Sequence, residues 1–250
     1  MRAAVFTTLV LAAATARADL AGGVRVFREG RYADAARLLA NDGSDPQALF
    51  FEGAALYKLH QPEAAYEDID EALEREPALA GEVGELYLGL VLYDLQLYRG
   101  CRAAFERVMQ INPGGRLASV ASAHLAALQR LTGDPHAAAT FYLNHGLGYA
   151  AKARPRLAEA FLEEARSLDP RLRPELVGLH LAAALNALGR PAEALAAVGK
   201  LVGAGPDLQR GRALVALGHV KQGRQALAKS AASGTAPWAA AAKVLLESTR

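Results

Sequence analysis

One cysteine, one tryptophan and two methionines in 250 residues, with aromatic residues at only 6%, narrow the choice of fold before any motif is sought. A lone Cys101 closes no internal disulfide and supplies no paired thiolates, so a disulfide scaffold and a zinc ribbon are both excluded. Few aromatic side chains in a chain rich in Ala and Leu favour helices over sheets, and an all-α protein is expected. Long apolar runs are also missing: after residue 18 no stretch approaches the roughly 20 residues a membrane helix needs, so no transmembrane segment is expected. Charge of one sign is not in excess either, at 28 Lys and Arg against 26 Asp and Glu. Nucleic acid is therefore not an expected partner, because counterion release from phosphate needs a sustained basic footprint. What is present is a hydrophobic content of 52%, too high for a disordered chain.

The N-terminus reads Met1-Arg2, then small and apolar residues from Ala3 to Ala16, then Arg17-Ala18-Asp19. A positive start, a short apolar stretch and an Ala-x-Ala exit are the layout of a secretory signal peptide, with cleavage expected after Ala18. The alternative is the first helix of the fold. Export would make the mature protein periplasmic or secreted. Removing residues 1–18 takes away Arg2 and Arg17, leaving 26 residues of each sign. The remaining charge is unevenly placed: residues 19–99 carry 16 acidic and 7 basic side chains, residues 100–250 carry 10 acidic and 19 basic.

Internal self-similarity is the strongest signal. Gly53, Leu56, Ala65, Ile69, Ala72 and Pro77 return at the same spacing as Gly89, Leu92, Cys101, Phe105, Val108 and Pro113. The order appears again as Gly146, Tyr149, Ala158, Leu162, Ala165 and Pro170, and as Ala182, Leu185, Ala194, Val198, Leu201 and Pro206. A clipped earlier copy holds Gly23, Val26, Gly30, Ala35, Leu39 and Pro46. Small residues at two fixed sites let paired helices cross closely, and Pro ends each unit because it cannot continue a helix. Ser44 or Asp45 can cap the helix that follows.

These residues resemble the tetratricopeptide repeat, a 34-residue helix-turn-helix unit. The resemblance implies an α-solenoid of stacked hairpins forming a right-handed superhelix. The expected units are 19–46, 46–79 and 82–115, an extra helix 116–132, then 139–172 and 175–208, and a degenerate repeat with a capping helix over 208–250. The degenerate part is read as helices from Leu208 to about Val220, from Arg224 to Ala232 and from Trp238 to Ser248. A capping helix is needed because a terminal repeat has no neighbour to cover its apolar face. No linker between domains is evident.

Catalytic chemistry finds no foothold. None of the six histidines stands in a His-Glu-x-x-His pattern, and no Ser, His and acid set forms a recognisable motif. Asp68 and Asp70 lie two apart on one helix and point to different sides, so they read as a solvated outer face. Gly146-x-Gly148 lacks the third Gly and the preceding strand of a dinucleotide site. Cys101 falls where a small core residue belongs, which makes it an inert thiol. The expectations are no catalytic residue, no cofactor and no metal site.

Binding is expected where the resemblance implies it, on the first helices of successive hairpins. The family's inward positions fall on Phe50, Tyr57, Lys58, Leu86, Leu90, Tyr93, Asp94, Leu143, Leu147, Leu179 and Asn186. Only Lys58 and Asn186 supply anything like the carboxylate clamp of the family's chaperone-binding members, so that subtype is rejected. A mostly apolar lining suits an amphipathic helix or apolar peptide. Periodicity does not separate a binding face from a core face, and the chain's own extra or terminal helix is the competing occupant. The leading expectation is a protein-binding adaptor of the bacterial cell envelope. The alternative is a structural protein that assembles head to tail through its acidic and basic halves, a homo-oligomer.

Overall fold

Among the described helices a small vocabulary recurs: proline at the start of six, a small residue where paired helices cross, and a left-handed residue in the turn that closes each hairpin. The computed structural model describes residues 20–130 and 133–249, and among these there are helices and no strands. The signal-peptide reading of residues 1–18 lies outside the described residues. In order, α1 covers 20–28, followed by α2 (Tyr32–Leu39), α3 (Pro46–Lys58), α4 (Pro62–Arg75), α5 (Glu82–Asp94), α6 (Tyr98–Ile111) and α7 (Arg116–Leu128). Then come α8 (Pro135–Ala151), α9 (Pro155–Leu168), α10 (Pro174–Ala187), α11 (Pro191–Val198), α12 (Ala204–Ala216), α13 (Val220–Ala232) and α14 (Trp238–Ser248). Six of them open on Pro at the first turn, where a missing N–H costs nothing. Asp45 and Asp134 cap α3 and α8 by accepting from the backbone N–H of Gln47 (2.8 Å) and His136 (2.9 Å).

The chain divides into two compact units, residues 1–132 and 133–250. The division falls beside Gly133-Asp134-Pro135, where the sequence ends its extra helix, although no linker was expected there. In the N-terminal unit α3 pairs with α4 and α5 with α6, and each hairpin packs on the next. In the C-terminal unit the pairs are α8 with α9, α10 with α11 and α12 with α13. The fold is thus all-α and of the α-solenoid class, with hairpins stacked in series inside each unit.

One turn closes the hairpins. His60, Gln96, Ala153, Gly189, Gly218 and Gly30 all have left-handed φ, between 54° and 82°. The next residue's N–H reaches back to the carbonyl five before it, as in Gln61 to Leu56 (3.0 Å) and Leu97 to Leu92 (2.9 Å). This bond satisfies a carbonyl the helix end would leave open.

The crossings explain the small residues. A Cβ on Gly53 would come within 2.7 Å of Ile69, on Gly89 within 2.6 Å of Phe105, and on Gly146 within 2.7 Å of Leu162. Those partners, with Leu39 and Val198, are fully buried, each worth about 1.5–3 kcal/mol of burial. Cys101 is also fully buried, in the small-residue site of the second helix.

The C-terminal end departs from expectation. Gly199 (φ 47°) and Gly203 (φ 120°) stop α11 after eight residues, and α12 starts at Ala204 instead of Leu208. Pro206 is then an early residue of α12 and not the exit of the preceding repeat. The following helix starts at Val220 instead of Arg224, whereas α14 lies where the sequence places it. From Ala204 the repeat is intact: a Cβ on Gly211 would meet Leu227 at 2.6 Å, and one on Gly223 would meet Val215 at 2.6 Å. The extra helix α7 docks on α6 and α5, in the place a first helix of a further hairpin would occupy.

Candidate functional site

The first helices α3 and α5 are apolar on most sides because they pack against both their own partners and each other. The fifth repeat position therefore lies deep: Phe50 and Leu86 are buried, and in the C-terminal unit so is Leu143. Positions further along each helix emerge. In the N-terminal unit Tyr57, Leu90 and Tyr93 are half-buried, and Lys58 and Asp94 are exposed.

Aromatic rings connect these residues into a row. Phe27 meets Tyr32 at 5.4 Å and Phe51 at 5.7 Å; Phe51 meets Phe50 at 5.5 Å; Phe50 meets Tyr87 at 5.9 Å; Tyr87 meets Tyr57 at 6.1 Å. All five contacts are edge-to-face, the arrangement that ring quadrupoles favour. The Lys58 ammonium stands 5.5 Å from the Tyr57 centroid and 5.7 Å from that of Tyr87, within cation–π range. Partial burial raises the Tyr57 phenol, with Asp94 and Tyr87 adding to it, and burial together with Tyr32 raises that of Tyr87. Both phenols stay neutral donors at any ordinary pH.

The structure thus gathers Tyr57, Lys58 and Asp94 on the same side as Tyr87, with Phe50 beneath. Tyr93 is turned to a different neighbour, edge-on to Tyr98 (6.3 Å) and to His124 of α7 (5.0 Å), so the extra helix covers part of it. His124 also stacks on Phe105 at 4.9 Å. Tyr87 itself is absent from the positions implied by the repeat. Its signal was available: Phe51 and Tyr87 occupy the same repeat position, two aromatics in adjacent copies.

In the C-terminal unit Leu147 is half-buried. Leu179 packs beneath α12, its methyl groups 3.1–3.2 Å from where a Cβ on Gly205 would stand. The Asn186 amide donates to the Gln209 carbonyl (3.0 Å) and Oε1 (3.1 Å), tying α10 to α12. Asn186 also borders a cavity of about 370 Å³ with Arg212 and Leu245.

Asp68 corrects the reading of a solvated acidic face. Gly53 lets α3 approach α4 so closely that a Cβ there would stand 3.0 Å from the Asp68 Cβ. The resulting burial, reinforced by the charges of Glu52, Glu67 and Glu71, pushes its carboxyl up to about 7. Among the described residues no group of three or more His, Cys, Asp or Glu is placed to hold a metal ion, and no helix is long and apolar enough to cross a membrane.

No protein-family model matches the chain, and no curated relative matches it. Among solved structures it is similar to a tetratricopeptide repeat protein from Parabacteroides merdae, at 17% identity and a TM-score of 0.37 over 94% of this chain and 84% of that one. It is similar to the TPR domain of P58(IPK), at 11% identity and a TM-score of 0.41 over 98% of this chain and 69% of that one. The TPR2AB domain of yeast Sti1, in a complex with pHSP90, matches at 14% identity and a TM-score of 0.38 over 95% of this chain and 97% of that one.

Proposed function

We propose that the chain is an exported tetratricopeptide-repeat adaptor that holds together a protein complex of the bacterial cell envelope, and that it catalyses no reaction. The observation that carries the binding reading is the aromatic row of the N-terminal unit. Tyr57 and Tyr87 are only half-buried, rigid, and flanked by Lys58 and Asp94. Such a surface offers flat apolar area with polar tips at little cost in side-chain entropy, which suits an apolar peptide or one face of an amphipathic helix. Leu90, three residues beyond Tyr87, extends the same face of α5. Of the corresponding positions in the C-terminal unit Leu147 is half-buried, whereas Leu179 packs beneath α12 and Asn186 is tied to Gln209, so these two do not belong to such a surface. Export rests on the layout of residues 1–18.

The test places a photo-crosslinking amino acid at Tyr57 or Tyr87 in the native host. Both positions are expected to capture the same protein, and exposed Lys229 on α13 to capture none. If neither position yields an adduct, the surface is not an interface. Intact mass gives the second readout: the mature chain should start at Asp19, and retention of residues 1–18 would remove the export reading.

A second reading rests on the uneven charge, 16 acidic and 7 basic residues over 19–99 against 10 and 19 over 100–250. Copies that associate head to tail through these regions would do so at low salt and separate above physiological ionic strength, where exposed charges are screened. Sedimentation velocity at 20 and 500 mM salt decides it; a monomer at both ends that reading.

A further inference from the structure

The cavity of the C-terminal unit has a composition that the adaptor reading does not use. It measures about 370 Å³ and lies where α10, α11, α12, α13 and α14 converge. Pro191, Val215, Leu227 and Leu245 give it apolar walls, and its polar equipment is Asn186, Arg212 and Thr249. Two of these three have already spent their donors. The Asn186 amide is committed to Gln209, and the Thr249 hydroxyl donates to the Leu245 carbonyl (2.9 Å) while accepting from Arg224 (3.2 Å). Arg212 makes no hydrogen bond or ion pair to another described residue, although Arg190 and Arg210 of the same unit are each held by carboxylates 2.6–2.7 Å away.

Among the described residues none supplies an anion to Arg212. Residues 204–249 hold six Lys and Arg against Asp207 and Glu247, and Asp207 is taken by Arg210. The guanidinium of Arg224, bonded to the Leu246 carbonyl (3.0 Å) and Thr249 (3.2 Å), adds positive charge beside the cavity and pairs with no carboxylate of the described residues. A planar fork of free donors at one point, apolar walls elsewhere, and a net positive field select a ligand with a single anionic head and an apolar body.

We propose that this cavity binds a small apolar carboxylate, an aryl- or alkyl-substituted acid, with its carboxylate on Arg212 and its body against Val215, Leu227 and Leu245. The volume is at the small end of ligand sites, which fits a free small molecule better than a length of polypeptide. A dianionic phosphate would need a second unspent donor group, and none of the described lining residues offers one.

The probe is 4-phenylbutyrate, titrated calorimetrically into the full chain at low salt, with 4-phenylbutanol, inorganic phosphate and a tetrapeptide ending in Phe as comparisons. Saturable one-to-one binding of 4-phenylbutyrate is expected, with the alcohol and phosphate at least ~tenfold weaker, the value of one charge-assisted contact. Arg212→Gln should reduce the acid to the level of the alcohol, whereas Lys243→Gln, on an exposed residue that does not line the cavity, should not. Arg212 is exposed, so its replacement leaves the core intact; unchanged circular dichroism confirms it. Ala216→Leu, which fills the cavity from an exposed position on α12, should weaken acid and alcohol alike. The proposal is overturned by absence of saturable binding, by equal affinity for acid and alcohol, by indifference to Arg212→Gln, or by a tetrapeptide that binds tenfold more tightly than the free acid.

Discussion

Ala153 holds a left-handed backbone (φ 54°) in the turn between α8 and α9, where three of the five equivalent turns use glycine, Gly30, Gly189 and Gly218, and the other two use His60 and Gln96. A Cβ in that conformation crowds the carbonyl oxygen and costs roughly 1–2 kcal/mol, part of which is returned when glycine loosens the unfolded chain. The side chain is exposed, so removing it forfeits no packing. Ala153→Gly is therefore expected to stabilise the protein by about 0.5–1 kcal/mol, read as a rise of a few degrees in a thermal melt. Asp68 carries a different conflict. Its carboxyl holds a proton up to about pH 7 in the folded chain, mainly through burial, and only to the usual 3.8 when unfolded. The folded state thus binds the extra proton between those values, and stability falls as pH rises through that window. Asp68→Asn keeps the size and removes the charge. It should match the parent near pH 4 and exceed it at pH 8 by on the order of 1 kcal/mol, a figure reduced for the partial solvent screening of this side chain. Urea denaturation at both pH values checks this; an equal gap at the two would show that burial of charge is not the cause.

Within an element, two glycines of α8 separate packing from propensity. Gly146 faces α9, where an added Cβ would stand 2.7 Å from the Leu162 side chain and 3.2 Å from its backbone N. Gly148, two residues on, has nothing within 4 Å. Gly146→Ala should destabilise by about 1–3 kcal/mol through overpacking, and Gly148→Ala should stabilise by about 0.5–1 kcal/mol because alanine loses less backbone freedom in a helix. Denaturant midpoints of the two variants should move in opposite directions. The same crossing made the hairpins legible from sequence, since a small residue, a second small residue twelve later and a large one four beyond that are a steric signature. It also shows why the last hairpin was misplaced. Gly211, Gly223 and Leu227 carry that spacing intact. A fixed 34-residue step looks for it five residues too late, because Gly199 and Gly203 shorten α11. A local backbone break moved the repeat without altering its packing code. The docking of α7 was not legible at all, because its buried set of Ala118, Ala121 and Leu128 is small and names no partner.

At the scale of the molecule, the sequence reaches the face better than the depth. Repeat position alone places Phe50, Tyr57 and Leu90 on neighbouring first helices, but whether each is covered depends on the next hairpin, which buries Phe50 and leaves Tyr57 half-exposed. The lone guanidinium of Arg212 was equally hidden, since only the folded chain shows which arginines have found carboxylates. Each unit, however, builds its own interior. In residues 133–250, Leu157, Leu162, Leu181, Val198 and Leu227 are all fully buried. Asp134 caps the first helix, and α14 packs on α12 and α13 at the other end. In a stack whose stability is a sum of hairpins and their nearest-neighbour contacts, such a set contains nearly all the terms it needs. Residues 133–250 expressed alone are therefore expected to fold. Far-UV circular dichroism should give a helical content that matches α8 to α14, lost in one cooperative thermal step. A low signal, or a gradual melt without a transition, would show that three hairpins and a terminal helix do not bury enough to offset the entropy of ordering them.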